Sequence, residues 1–231
     1  MTPQEFSNAT SPPRPHPGFF LVFEGPDGGG KSTQAAHVTA WLREQGFDVV
    51  ACRDPGGTSL GERLRSVVLA DESVHPTMRA EMLLYMASRA QLVDEVVQPS
   101  LKAGRIVICD RFLLSNIVYQ GVAGGLSVDE VAKVGIVATG GLLPDLTLVL
   151  DVPSDVARER TGPGRDRIEK RPPEYQARVR EGFLAAARAR PESLRAYVGR
   201  IVLIDGREGA EAVFDRIRKE VEDALALGPR P

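Results

Sequence analysis

The sequence predicts an α/β fold: a five-stranded parallel sheet flanked by helices in three layers, with a mobile lid. Three observations predict it. Short β-rich runs at 19–24, 47–52, 105–109, 145–151 and 200–204 alternate with helical patterns, as βαβ units do. The runs Ile106-Val107-Ile108-Cys109 and Leu146-Thr147-Leu148-Val149-Leu150 are almost continuously apolar, as strands covered on both faces are. The first run, Phe19-Phe20-Leu21-Val22-Phe23, leads straight into Gly25-Pro26-Asp27-Gly28-Gly29-Gly30-Lys31-Ser32. That stretch fits G-x-x-x-x-G-K-[ST] and opens a helical pattern, so the fold class narrows to that of the P-loop NTPases.

In chain order, helical patterns lie near 31–45, 59–70, 77–103, 113–121, 127–138, 154–161, 174–197 and 209–227. Pro99 and Pro191 are expected to end or kink their helices. The stretch 161–173 is rich in Gly, Pro and charge, with Arg165, Arg167, Lys170 and Arg171, and reads as a mobile loop within a lid of about 158–173. Residues 1–17 carry Pro3, Pro12, Pro13, Pro15 and Pro17 and are expected to be a disordered leader without a signal-peptide pattern. Residues 228–231 are expected to fray, which leaves 18–227 as one domain.

Composition narrows the function classes. With 42% apolar residues the chain can build a sizeable core. A net charge of −2 argues against a surface that coats nucleic acid. Two cysteines, Cys52 and Cys109, each close an apolar run. They suit buried strand ends and a reducing cytoplasm rather than a disulfide framework. No apolar stretch reaches the ~18–20 residues of a membrane span. Cys52, Cys109, His16, His37 and His75 show no metal-ligand spacing.

Parallel sheets bind ligands beyond the carboxyl ends of their strands, which directs attention to 25–33, 53–58, 110–112, 152–155 and the loop after 204. In the first of these, residues Gly25 to Thr33, backbone N–H groups and a helix N-terminus converge on phosphates. There Lys31 is placed to reach the β- and γ-phosphates and Ser32 to ligate Mg²⁺. Asp110, directly after the third strand, sits where a Walker B carboxylate would, able to hold Mg²⁺ directly or through water, and Arg111 beside it suits a second phosphate; read alone, the pair is an ordinary ion pair or helix start. Tyr85 and Arg89 are four apart on one helical face, which suits stacking on a nucleobase and donating to its carbonyl, or equally a packed tyrosine beside a surface arginine. Ser115, Asn116, Tyr119 and Gln120 present hydroxyls and amides on roughly one face, as a ligand wall or as capping and solvation. Arg53-Asp54-Pro55-Gly56-Gly57-Thr58 is a ligand loop or a plain turn. The basic segment 158–171 is either a solvated surface or the source of an arginine for phosphoryl transfer.

Taken together, the ordered segments resemble the thymidylate kinase family of P-loop nucleoside monophosphate kinases. The resemblance runs from about Phe19 to about Leu225. It is carried by Phe23 to Thr33, Arg53 to Thr58, Ser88-Arg89-Ala90-Gln91-Leu92, Asp110 to Ser115, Tyr119-Gln120-Gly121 and Asp166-Arg167-Ile168-Glu169. It implies ATP- and Mg²⁺-dependent conversion of dTMP to dTDP by a homodimer joined through long helices. It also implies roles for matching positions. Asp27 would contact the sugar 3′-hydroxyl, and Tyr85 would stack on thymine. Arg89 would meet a thymine carbonyl, and Arg111 the acceptor phosphate. Ser115 and Asn116 would read the base edge, Tyr119 would lie under the deoxyribose, and Glu169 would close over the acceptor. Gly28 leaves the phosphate loop without an arginine, so the catalytic arginine is expected in the lid, at Arg165 or Arg160. Asp54 stands where the family pattern has a glutamate. Three rivals remain at this point: a kinase for another pyrimidine monophosphate, a deoxynucleoside kinase with Asp54 as base, and a P-loop regulatory ATPase.

Overall fold

The computed structural model describes residues 18–70, 73–160, 166–189 and 197–226. The leader 1–17, the tail 228–231, Pro191 and Arg165 lie outside the described residues. Five strands form one sheet: β1 (Phe19–Glu24), β2 (Val49–Arg53), β3 (Ile106–Asp110), β4 (Leu146–Asp151) and β5 (Ile201–Asp205). Their order is β2-β3-β1-β4-β5, and every neighbouring pair is parallel. All five match the predicted runs to within two residues; the central strands β1, β3 and β4 are buried along nearly their whole length, as their near-continuous apolar runs predict, and β2 and β5 are part-exposed edges.

Alternation along β1 builds the three layers. Phe19, Leu21 and Phe23 join the core under α1 (Lys31–Glu44) and the C-terminal helix, with Val38, Leu42, Ile217 and Val221. Phe20 and Val22 point the other way, into the larger core with Met82, Met86, Phe112 and Phe183. Asp110 of β3 is in register with Phe23 of β1 and with Arg53 of β2, so the carboxyl ends of the three strands open into one crevice.

The helices on that second side are α2 (Ser59–Arg65), α3 (Met78–Leu92), α4 (Gln98–Lys102), α5 (Leu113–Asn116), α6 (Val128–Thr139) and α8 (Pro173–Ala189); α7 (Ser154–Arg160) follows β4 beside the phosphate loop, and α9 (Ala210–Ala226) closes the α1 side. Thr58, Thr77 and Ser127 cap α2, α3 and α6 by accepting the third amide of each helix. Three expected helices contain a wider, π-helical turn: Ser66–Ala70 after α2, Val93–Val97 between α3 and α4, and Ile117–Ala123 after α5. Pro99 does not end its helix. It occupies the second residue of α4, just beyond the widened turn Val93–Val97, and the helix runs on to Lys102. Cys109 is buried, but Cys52 is only partly so, because β2 is an edge strand; both are free thiols.

Candidate active site

The phosphate loop runs from β1 into α1. Its geometry depends on glycine at two places. Gly25 has φ of 128°, and a Cβ there would meet the Leu150 carbonyl oxygen at 2.3 Å. Gly28 has φ of 76°, and a Cβ there would meet the Ala157 oxygen of α7 at 2.3 Å. No side chain fits at residue 28 unless α7 shifts, so an arginine at this position of the loop would clash with that helix. Gly30 precedes α1 with no side-chain cap, which leaves the first amides of that helix open toward the crevice.

Lys31 is buried and donates from Nζ to the Pro26 carbonyl at 2.8 Å, with Asp27 at 4.0 Å. Burial and the Arg111 guanidinium push its pKa down to about 8, against the opposite pull of Asp27 and Asp110. Ser32 Oγ donates to Asp110 Oδ2, so the two expected metal-holding oxygens stand side by side at the helix N-terminus. A hydroxyl and a carboxylate oxygen are the hard donors that Mg²⁺ takes, and the residues present fit that ion.

Arg111 is the one non-glycine residue with positive φ, 70°, among the described residues. Its N–H donates to Phe23 O at 2.8 Å, which pins the turn after β3 to the end of β1. The side chain then crosses to the phosphate loop. Nη1 donates to Gly25 O at 2.9 Å and to Ser115 Oγ at 3.2 Å, and Nη2 pairs with Asp27 Oδ1. Its guanidinium lies 5.2 Å from the centre of the Tyr119 ring, and the Tyr119 hydroxyl donates to Asp27 Oδ2 at 2.9 Å. Burial raises the Asp27 carboxyl, but Arg111 and Lys31 outweigh it and hold the group below the ordinary carboxylate range.

Glu24 supports this turn and was not predicted as a site residue. It is fully buried and accepts the amides of Phe112 at 2.8 Å and Ser115 at 3.1 Å, plus the Ser115 hydroxyl at 2.6 Å. It thereby caps α5 from another strand, since Phe112 offers no side-chain cap. Burial pushes its carboxyl up, with Arg111 opposing. A charged residue ending the apolar run 19–23 was the only signal in the sequence.

The second wall comes from β2, α2 and α3. Arg89, 1% exposed, donates from Nε to Asp54 Oδ2 at 2.6 Å and from Nη2 to Phe112 O at 3.1 Å. Burial raises the Asp54 carboxyl, with Arg89 opposing, and Asp54 Oδ1 is buried without a partner. Arg65, also missed by the sequence reading, donates to Pro55 O at 2.9 Å and lines the same crevice. On the lid side, Asp166 Oδ1 accepts the amides of Ile168 and Glu169, and Glu169 Oε2 accepts that of Asp166. Arg160 donates to the carbonyls of Gly206, Arg207 and Glu208, which ties the end of α7 to the loop after β5.

Most of these groups, though not Glu24, line one cavity of about 530 Å³. Lys31, Ser32, Thr33 and Asp110 of the expected phosphate and metal site line it, as does Arg160, one of the two candidate catalytic arginines. All ten expected acceptor residues line it too: Asp27, Asp54, Tyr85, Arg89, Arg111, Ser115, Asn116, Tyr119, Gln120 and Glu169. Gly25, Pro26 and Gly29 of the loop are not among the lining residues.

A parallel sheet whose central strand feeds a phosphate loop, with cations facing it from the next strand, defines a P-loop phosphotransferase. A family model described as thymidylate kinase matches residues 23–217. The thymidylate kinase of Symbiobacterium thermophilum is 43% identical over 218 residues, 92% of this chain and 99% of that one. That of Caldanaerobacter subterraneus subsp. tengcongensis is 42% identical over 210 residues, 90% and 97% of the two chains. The crystal structure of thymidylate kinase from Ehrlichia chaffeensis superposes with a TM-score of 0.68 at 28% identity, over 88% of this chain and 98% of that one. The chain belongs to the thymidylate kinase family.

Proposed function

We infer that this chain transfers the γ-phosphoryl group of ATP to dTMP, giving ADP and dTDP. The observation that carries the reading is the shared cavity: the phosphate loop with Lys31 and the expected acceptor residues line the same 530 Å³. The acceptor is itself a phosphate, anionic at neutral pH, so the reaction needs alignment and charge neutralisation rather than a general base. Lys31 takes the donor phosphates and Arg111 the acceptor phosphate. Asp27 holds Arg111 in place and meets the sugar. Tyr85 and Arg89 take the base, with Ser115, Asn116 and Gln120 along its edge and Tyr119 beneath the sugar. Asp54 orients Arg89, and Glu169 covers the acceptor.

Ser32 and Asp110 would hold Mg²⁺, which when bound neutralises phosphate charge. Arg160 is engaged with the 206–208 carbonyls, which favours a part in shaping the donor-base end and leaves Arg165 as the catalytic lid arginine. The deoxynucleoside kinase rival needs Asp54 as a base, yet Asp54 is engaged with Arg89. Leu83 of α3 and Ile136 and Val137 of α6 are exposed apolar side chains on contacting helices, which supports a homodimer through that face. No helix among the described residues is long and apolar enough to cross a membrane. The free thiols accord with a cytoplasmic site.

The test is an acceptor panel with ATP and Mg²⁺: dTMP, dUMP, dCMP and thymidine. dTMP is expected to be consumed fastest and thymidine not at all. Faster consumption of thymidine than of dTMP makes the acceptor a 5′-hydroxyl and ends this reading.

A further inference from the structure

One fully buried carboxylate beside the cavity has no part in the chemistry above. Glu81 on α3 is 0% exposed. Its Oε2 accepts from Arg167 at 2.8 Å and from Arg171 at 2.7 Å. Its Oε1 accepts from Gln120 Nε2 at 2.9 Å. Gln120 Oε1 in turn accepts from Asn116 Nδ2 at 3.0 Å. Asn116 and Gln120 are each 2% exposed, and both line the cavity.

The direction of this chain of hydrogen bonds is dictated from one end. An amide side chain has a donating half and an accepting half and can be turned over; a carboxylate only accepts. Two guanidiniums on Oε2 keep Glu81 an acceptor at both oxygens. Gln120 must therefore turn its NH₂ toward Glu81. That leaves its oxygen toward Asn116, and Asn116 must answer with its own NH₂. The Asn116 oxygen is what remains for a ligand. The Asn116 side-chain bond to Gln120 uses Nδ2, and Asn116 lines the cavity, so Oδ1 is the half of the amide left for a ligand.

We propose that Glu81 is a specificity-determining residue: through Gln120 it fixes the Asn116 amide with its oxygen toward the base, so that the site demands a pyrimidine carrying N3–H. The proposal rests on the reading that Asn116 lies at the base edge. Thymine and uracil carry a donor at N3, whereas cytosine presents a lone pair there, which would face another acceptor. The same carboxylate carries Arg167 and Arg171, and Arg167 also donates to Val68 O at 2.7 Å. The residues that compensate Glu81 thus come from the lid segment, and the base-reading amides are set by a group that the lid encloses.

The experiment compares kcat/KM for dTMP, dUMP and dCMP in wild type, Glu81→Gln, Arg171→Gln, Glu81→Gln/Arg171→Gln and Asn116→Ala. A glutamine at 81 can offer either half of its amide, so Gln120 and Asn116 become free to turn over. The expected result is a fall of about tenfold in the dTMP/dCMP ratio for Glu81→Gln, with the dTMP/dUMP ratio unchanged. The double variant, which removes a buried cation together with the carboxylate charge, serves where the single variant does not fold, and the same fall is expected of it. Arg171→Gln leaves the carboxylate in place and is expected to keep both ratios. If both ratios fall together in Glu81→Gln, the effect is loosening of the site and the proposal is wrong. If Asn116→Ala lowers the dTMP/dCMP ratio and Glu81→Gln does not, the base-edge reading stands and the relay fails. If Asn116→Ala changes neither ratio, the base-edge reading itself fails and takes the proposal with it.

Discussion

Arg111 and Asp27 form an ion pair that joins the turn after β3 to the interior of the phosphate loop. A residue from each of the two expected substrate sites is thereby held by the other. The pair is reinforced by the Tyr119 hydroxyl on the second Asp27 oxygen and by the Gly25 carbonyl on Arg111.

Asp27→Asn tests that link. Loss of its charge releases Arg111 and weakens the expected contact to the sugar. We expect kcat/KM for dTMP to fall by about tenfold to a hundredfold while KM for ATP changes little. With a 3′-deoxy acceptor the penalty should be smaller, because only the Arg111 part of the loss remains. An equal penalty for both acceptors argues that Asp27 does not meet the 3′-hydroxyl.

Lys31 gives a pH prediction with a definite sign. Its folded-state pKa is about 8, below its ordinary value of 10.5. Charged Lys31 therefore costs folding stability below about pH 8. That cost is relieved as pH rises from about 8 toward 10.5. Activity runs the other way. In the free enzyme, kcat/KM for ATP should fall as pH rises through about 8, because the neutral amine no longer attracts phosphate. Bound phosphates favour the charged form, so the descending limb of kcat should lie at higher pH. A pH–rate series with both parameters checks this; a kcat/KM flat to pH 10 contradicts it.

Much of this site was legible in the sequence, and the reason is local. The phosphate loop is contiguous, so its motif places it; Asp110-Arg111 and the Tyr85/Arg89 pair are contiguous or share one helical face, which groups them, but their roles came from the family resemblance. Glu24 and Glu81 were not legible, because each acts through partners far along the chain: Ser115 for Glu24, and Gln120, Arg167 and Arg171 for Glu81. The binding of Arg160 to the 206–208 carbonyls is equally long-range. The π-helical turns at 66–70, 93–97 and 117–123 escaped notice because one extra residue per turn leaves no mark in composition.

Glu24→Ala should be costly to the fold as well as to turnover. It leaves the buried amide of Phe112 and the hydroxyl of Ser115 without their acceptor, and the Ser115 amide with the Phe112 carbonyl at 3.2 Å alone. A loss of about 2–4 kcal/mol is expected from thermal or urea unfolding. Glu24→Gln keeps an acceptor for the two amides and should retain most of that stability. Equal stability of Glu24→Ala and wild type would falsify the capping role.

The Asp54–Arg89 pair is buried on both sides, with side-chain exposures of 0% and 2%. Removing one partner strands the other, so Asp54→Ala should cost about 3–5 kcal/mol. Asp54→Ala/Arg89→Met should cost less than the two single changes added together, as a double-mutant cycle by denaturant unfolding will report. Strict additivity means that the two side chains do not act as a pair.

The central claim is direct transfer between two nucleotides held in one cavity. Phosphorus-31 NMR of a single reaction containing ATP, Mg²⁺ and dTMP tests it most directly. The account predicts that the two phosphorus signals of dTDP appear one for one with ADP, and that both stay near background in Lys31→Ala. ADP accompanied by inorganic phosphate, with no dTDP, contradicts it.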